Sequence, residues 1–385
     1  VAAAHDPDRA GARRRPVLVL NTGSSTLKFK VVDPDGTVWL ARQVEHVDDD
    51  ADRAHALDTL EDDLAGAGLG ADRLLAVGHR IVHGGPDLVR PTILDDAAVS
   101  RIEDASELAP LHNPQALRAL RRARERFPDL PHVAVFDTAF FADLPPAAAT
   151  YALDAGIAER LRLRRYGMHG ISHRYVAARG AELLGRDLAE LRQVTLHLGN
   201  GASVAAVRGG RALDTSMGLT PLEGLVMGTR PGDLDPGVVV HLLRHGGLDV
   251  DGLEDLLHHR SGLLGLAGHS DFRDLVAARD MGDERARAAY DVYVHRLRKY
   301  VGAYVAVLGG LDVLTFTAGV GEHAAGLRHD VLTGLAPFGL AVDDARNAGD
   351  GARVISPDGA ATTALVVPTD EELAIARDVA ALIGS

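Results

Sequence analysis

Apolar runs of strand length alternate along this chain with amphipathic stretches of helix length. Val17–Asp33 (VLVLNTGSSTLKFKVVD) reads as strand, polar turn and strand. Trp39–Val47 predicts a further strand and Ala54–Ala67 a helix. Leu74–Val82 (LLAVGHRIV) is a buried strand running into His83–Gly85. Asn113 as N-cap and Pro114 at the first helical position then open a helix. Leu117, Leu120 and Phe127 mark its apolar face, so Arg118, Arg121, Arg122, Arg124 and Arg126 form a solvated outer face. His132–Phe136 is a strand ending at Asp137, and Pro145-Pro146 puts a domain boundary near residue 145.

The second half repeats the opening unit. Val194–Leu198 and Ser203–Val207 are apolar runs joined by Gly199, Asn200, Gly201 and Ala202. A helix around Arg174–Leu184 precedes them. Leu213–Asp235 lacks regular pattern yet is too apolar for disorder, which marks it as functional. Helices are predicted after the Asp235-Pro236 cap, over Leu248–Leu264 and over Ala286–Leu308. Gly309-Gly310 ends the last of these before the strand Val313–Thr317 and a Gly-rich turn, Phe316–Glu322. Strands at Arg353–Ser356 and Thr362–Val367 lead to a helix, Glu371–Ile383. Thr369 and Glu372 fit a capping box at its start.

At 385 residues the chain is long enough for two domains, each with its own core. A net charge of −13 argues against nucleic acid as a partner. Zero cysteines exclude a disulfide framework and thiolate metal sites. HRIVH (His79–His83) lacks the glutamate of a zinc motif, so no zinc is expected. Residues 1–15 are charged without an apolar core and read as a flexible tail rather than a secretory signal. The apolar stretch from Val301 to Gly321 is split by Asp312 and the glycine pair, so it is not a membrane span. A cytoplasmic protein is expected.

The two strand–turn–strand units carry the chemistry. Gly, Asn and hydroxyl residues put little bulk on each turn, so backbone N–H groups can approach a phosphate. Two such turns half a chain apart, with a third Gly-rich turn later, resemble the actin-like ATPase superfamily. Neither a P-loop nor a dinucleotide fingerprint is present. Arg80 is a cation inside an apolar run and needs an anionic partner. His169, between Met168 and Gly170, serves no helix or strand pattern. His112 precedes a helix N-terminus, where it can meet an anion or pack in the core, and both readings stay open. His197 points from a strand and has a core reading too. Arg230 is the cation of the irregular stretch.

Ten stretches in one order resemble acetate kinases: NTGSSTLK, HRIVHGG, PLHNP, FDTAF, RYGMHGISH, HLGNGAS, MGTRPGDLDPG, DFRD, AGVGE and PTDEEL. The resemblance implies an α/β chain of two actin-like (ribonuclease H-like) domains with a nucleotide cleft between them. Residues 16–145 with the helix 372–385 would form one domain, and 146–371 the other, which binds ATP and joins a homodimer. It implies reversible phosphoryl transfer from ATP to acetate, with propionate or butyrate as alternative acids and a nucleotide switch as a distant third reading. Asp137, His169, Arg230 and Arg80 would form the catalytic group. Asn21 and Glu371 would serve Mg²⁺, for which Mn²⁺ can substitute. Lys28, His197, Leu198, Gly199, Asn200, Gly201, Asp271, Phe272, Arg273, Gly319, Val320, Gly321, Glu322 and His323 would hold ATP. Arg80, Val82, Leu111, Met168 and Pro221 would line the acetate site. Departures are few: Thr26 stands for Ser, Asp370 for Asn, Met168 for Phe and His323 for Asn. An acetate ion arrives already ionised, since carboxylic acids titrate near ~4–5. Asp137 therefore has no proton to remove and is expected to orient an arginine or a metal-bound water.

Overall fold

A computed structural model describes residues 15–22, 26–45, 59–60 and 62–384. The turn of NTGSSTLK (residues 23–25), most of the expected N-terminal tail and parts of the strand Trp39–Val47 and helix Ala54–Ala67 lie outside those residues.

Two six-stranded mixed sheets carry the chain. The first comprises β1 (Val17–Thr22), β2 (Thr26–Val32), β3 (Val38–Glu45), β4 (Ala76–Ile81), β5 (Thr92–Ile93) and β6 (His132–Phe136). Its order is β3-β2-β1-β4-β6-β5. The second comprises β7 (Arg192–Leu198), β8 (Ala202–Arg208), β9 (Arg211–Thr215), β10 (Val313–Thr317), β11 (Arg353–Val354) and β12 (Thr363–Val366). Its order is β11-β12-β10-β7-β8-β9. In each sheet an antiparallel meander opens the unit, two parallel pairings continue it and a short antiparallel strand closes the edge. Read from the far end, the second order repeats the first, with β7 standing for β1 and β10 for β4. The repeated strand–turn–strand unit of the sequence is thus the first hairpin of each sheet.

Parallel central strands are covered on both faces, which is why β1, β4, β6 and β7 are buried along most of their length. The helix Glu371–Ile383 belongs to the first sheet, packing Leu373, Ile375 and Val379 against Val17, Val19, Val133 and Val135. Gly78 on β4 admits it, because a Cβ there would lie 2.8 Å from Ile375 Cγ2. On the second sheet, helix Glu284–Leu308 packs over β7 and β8, where Tyr290, Leu297 and Val301 share one buried cluster with Leu196 and Val204. Among the described residues no helix is long and apolar enough to cross a membrane.

Three local expectations are corrected. Asn113 is not an N-cap; its fully buried amide exchanges two bonds with the backbone of His83, at 3.1 and 2.9 Å, tying the helix Asn113–Arg126 to the end of β4. The stretch Leu248–Leu264 is not one helix but two, Val250–His259 and Gly262–Ala267. Gly262 breaks it at φ +60°, where a Cβ would crowd the backbone of Arg230 at 2.8 Å. The capping box is absent: Asp370, not Thr369, caps the last helix by accepting from Leu373 N–H at 2.9 Å. Glu372 instead accepts from the Asn21 amide at 2.8 Å.

Candidate active site

The ends of β1, β4 and β6 bring Asn21, Arg80 and Asp137 together. Arg80 grips both oxygens of Asp137, at 3.2 and 2.7 Å, and donates to Asn21 Oδ1 at 3.1 Å. Its Nε lies 3.6 Å from Glu371 at the start of the last helix. The Asn21 amide nitrogen donates to Glu371 at 3.2 Å and to Glu372 at 2.8 Å. Burial works against the Arg80 charge, but Asp137 and Glu371 outweigh it, so the proton is held above the ordinary arginine range. Burial also pushes Glu371 upward, yet Arg80, His197 and Asn21 leave it below the usual carboxylate range. Asp137 is completely buried with its carboxylate on Arg80, so it orients that guanidinium rather than facing the cleft.

The second sheet supplies histidines. His169 has a left-handed backbone, φ +60°, at the N-terminal end of helix Gly170–Leu184. Such a conformation costs a non-glycine residue energy, and Arg162 and Ala318 share it. Its ring stacks on His197 with centroids 4.2 Å apart, and its Nδ1 meets Ser203 Oγ at 2.9 Å. Ser203 also meets His173, and His197 Nδ1 meets Ser172 at 2.8 Å. Burial, then neighbouring histidines and arginines, push His169 well below the ordinary imidazole range; burial brings His197 to about 4. Both rings are neutral near pH 7, and with Nδ1 taken by Ser203, Nε2 of His169 is the atom left for a ligand.

Arg230 comes from the irregular stretch after β9. Burial lowers its pKa to about 10, and its NH1 donates to the Pro221 carbonyl at 2.8 Å. Among the described residues no carboxylate pairs with it. Gly201, on the turn between β7 and β8, explains why that turn is bare. A Cβ there would lie 2.7 Å from Arg230 NH2 and 3.6 Å from His169 Nε2. His112 joins this group: Arg230 and Arg80 add to burial in lowering its pKa to about 3, and its Nδ1 is buried without a partner. Sequence left His112 undecided because only its neighbours reveal that, among the described residues, its Nδ1 has no partner.

Val82 and Met168 belong to one buried apolar cluster with Ala109, Met217 and Met227. Leu111 is half-buried outside that cluster, and Pro221 meets the site through its carbonyl. A separate cavity of about 850 Å³ is lined by Gly199, Asn200, Asp271, Phe272, Arg273, Gly319, Val320 and His323. The Gly-rich turn there is a short helix, Ala318–His323. Leu198 and Gly321 are buried behind that wall, while His197 and Gly201 sit with the histidines. Glu322 accepts from Thr369 N–H at 3.4 Å. Lys28 is exposed on β2, in electrostatic reach of His197 and Glu371. Sequence missed Gly228, Ser270, Asp280 and Tyr293 in the cavity wall; Gly228 stands in the MGTRPGDLDPG stretch, whereas Ser270, Asp280 and Tyr293 lie outside the quoted motifs.

Comparison with known proteins adds one family match and three similar structures. Residues 37–377 match the profile of the acetokinase family. The crystal structure of an acetate kinase from Porphyromonas gingivalis superposes with a TM-score of 0.88 at 40% identity, covering 96% of this chain and 100% of that one. A propionate kinase from Francisella tularensis gives 0.87 at 34% identity, over 95% and 99% of the two chains. An acetate kinase from Entamoeba histolytica gives 0.84 at 27% identity, over 95% and 99%.

Proposed function

The chain belongs to the acetokinase family and has its actin-like ATPase fold, and from that premise we propose that it transfers the γ-phosphoryl group of ATP reversibly to acetate. The observation that carries this reading is Arg230, a half-buried cation that no carboxylate pairs with among the described residues, converging with His169 beside the bare turn at Gly201. Such a group awaits an anion. The cavity of about 850 Å³ next to it takes the nucleoside, and the turn Gly199–Gly201 takes phosphate oxygens through backbone N–H groups.

Phosphoryl transfer to a carboxylate sets one anion against another, so the chain's work is positioning and charge neutralisation. Arg80, aligned by Asp137, and Arg230, aligned by Pro221, hold the two anions. Neutral His169, protonated at Nε2, donates to the transferring oxygens, and His112 offers its unpartnered Nδ1 side. Glu371 and Glu372, which share the Asn21 amide nitrogen as donor, bring two carboxylates together, and their oxygens, with Asn21 Oδ1 if it leaves Arg80, would hold Mg²⁺ or Mn²⁺. When bound there, the metal supplies charge neutralisation of the phosphates. Burial of Met168 in a methionine-rich wall supports propionate as a second acid. We take residues 16–145 with the last helix as one domain and 146–371 as the other, in a cytoplasmic enzyme.

A homodimer is supported by helix Pro236–His245, which buries none of its own residues and exposes Val238, Val240 and Leu243. The helix carries no carboxylate, so a second copy of a chain of charge −13 can meet it without like-charge repulsion. The functional reading is tested by a hydroxamate assay for acyl phosphate with ATP, Mg²⁺ and a series of short carboxylates. Acetyl hydroxamate is expected, and its absence with every acid would overturn the reading.

A further inference from the structure

Arg230 and Pro221 stand on a stretch with neither helix nor strand between Thr215 and Pro236. Backbone of that kind holds one position only when outside groups bond it. Those bonds converge on Arg165, Tyr151 and Glu223, to which sequence assigned no role. Arg165 NH1 donates to the carbonyls of Thr215, Ser216 and Met217 at 3.0, 3.3 and 3.2 Å. Its NH2 donates to Glu223 at 2.5 Å. Tyr151 donates to the other Glu223 oxygen at 2.6 Å and accepts from Leu219 N–H at 2.9 Å. The Glu223 carboxylate is therefore fixed at both oxygens. Pro221 lies between Leu219 and Glu223, and its carbonyl receives Arg230 NH1 at 2.8 Å. Beyond the turn, Asp233 accepts from Gly224 N–H at 3.0 Å and from Tyr300 at 2.9 Å.

We propose that Arg165 and Glu223 are positioning residues that aim the Arg230 guanidinium through the turn from Leu219 to Glu223. The proposal rests on the acyl kinase reading for the role of Arg230. Only an arginine has the planar fork that reaches three carbonyls and a carboxylate together; a lysine is a point charge and cannot. Glu223 is equally specific, because two donors approach it and an amide can accept from only one of them.

The test uses Glu223→Gln, Arg165→Lys and Tyr151→Phe in the full chain. Each is expected to lower kcat/KM for acetate by about tenfold or more, the effect of a small misplacement at a reacting centre. KM for ATP is expected to change less than kcat/KM for acetate, since the segment meets the nucleotide cavity at Gly228, where backbone N–H to the Asn200 carbonyl at 3.0 Å holds it independently of Arg165 and Glu223. A purely structural role would lower the melting temperature without splitting the two substrates. In an Arg230→Ala background, Glu223→Gln should add no more than about a further twofold; full additivity of the two losses would overturn the proposal. A readout independent of turnover is phenylglyoxal labelling of Arg230, followed by peptide mass. Its rate should rise several-fold in Glu223→Gln and Tyr151→Phe, and unchanged rates would overturn the proposal. Wild type that phosphorylates no carboxylate would defeat the acyl kinase reading, while the labelling rates still decide whether Arg230 is held by this network. Tyr151→Phe removes one hydroxyl and no charge, so it carries both measurements if the charged variants fail to fold.

Discussion

Arg80 and Arg230 are both arginines in the candidate site, yet their surroundings differ. Arg80 uses three of its N–H groups on Asp137 and Asn21 and lies 3.6 Å from Glu371, whereas Arg230 has one carbonyl and, among the described residues, no counter-charge. Arg230→Ala and Arg80→Ala should each lower kcat/KM by at least ~10²-fold, the scale of one lost transition-state donor. Arg80→Ala should also destabilise, because it strands the buried Asp137, while Arg230→Ala should leave the melting temperature near wild type. Steady-state kinetics with thermal unfolding separates the two, and wild-type kinetics in Arg230→Ala would remove it from the site. Met168 makes a second residue-scale case. A flexible thioether yields space that a ring would hold, and one methylene is worth only ~1–3 kcal/mol of discrimination. Met168→Phe should therefore raise the acetate-to-propionate ratio of kcat/KM, and an unchanged ratio would show that the residue does not shape the acyl site. These residues were legible because charges and glycines in apolar context need a reason. The orphaned nitrogen of His112 was not, since it depends on what other strands bring near.

Capping and burial act at the scale of the element. Asp370 caps the last helix and also pairs with Lys30 at 2.7 Å. Asp370→Ala should cost roughly 0.5–2 kcal/mol in denaturant unfolding, and Thr369→Ala, which removes no cap, should cost less. The reverse order would restore the capping box. Local sequence fits both caps equally; the choice falls to Asp370 because Glu372 is drawn to Asn21 across the sheet. The strands also carry neutral histidines. His79 and His132 face each other at 2.9 Å in the first sheet, and burial lowers both, aided by the mutual charge at His79. A folded pKa below the unfolded value of about 6.5 means that the unfolded chain binds more protons below that pH. Their stabilisation is complete above about pH 6.5 and is lost on acidification, by about 1.4 kcal/mol per pH unit for each ring that stays neutral when folded. Urea unfolding at stepped pH should record falling stability below pH 6.5. A flat profile down to pH 5 would mean these rings take up protons in the folded state.

At the scale of the molecule, the two sheets repeat one strand order and set their first hairpins toward a shared site. A net charge of −13 makes self-association depend on a surface free of carboxylates, and helix Pro236–His245 offers one. If the proposed homodimer forms through this helix, Val240→Glu should shift the protein from dimer to monomer in sedimentation, because it buries a charge opposite its own copy in a symmetric contact. A variant that sediments as the wild type would place the contact elsewhere. The sequence by itself determined most of the elements, the repeated strand–turn–strand unit and the residue types of the candidate site, though not the break at Gly262 or the short strand Thr92–Ile93. Periodicity, glycine placement and isolated charges are local properties, readable without knowing what packs on what. Tertiary structure alone decided which groups share a partner. It put Asp137 behind Arg80, left Arg230 without a carboxylate, gave Glu372 to Asn21 and tied Arg165 to the Arg230 segment. Such pairings join residues far apart in sequence, and a hydrogen bond or a desolvated charge has no local signature until the chain has folded around it.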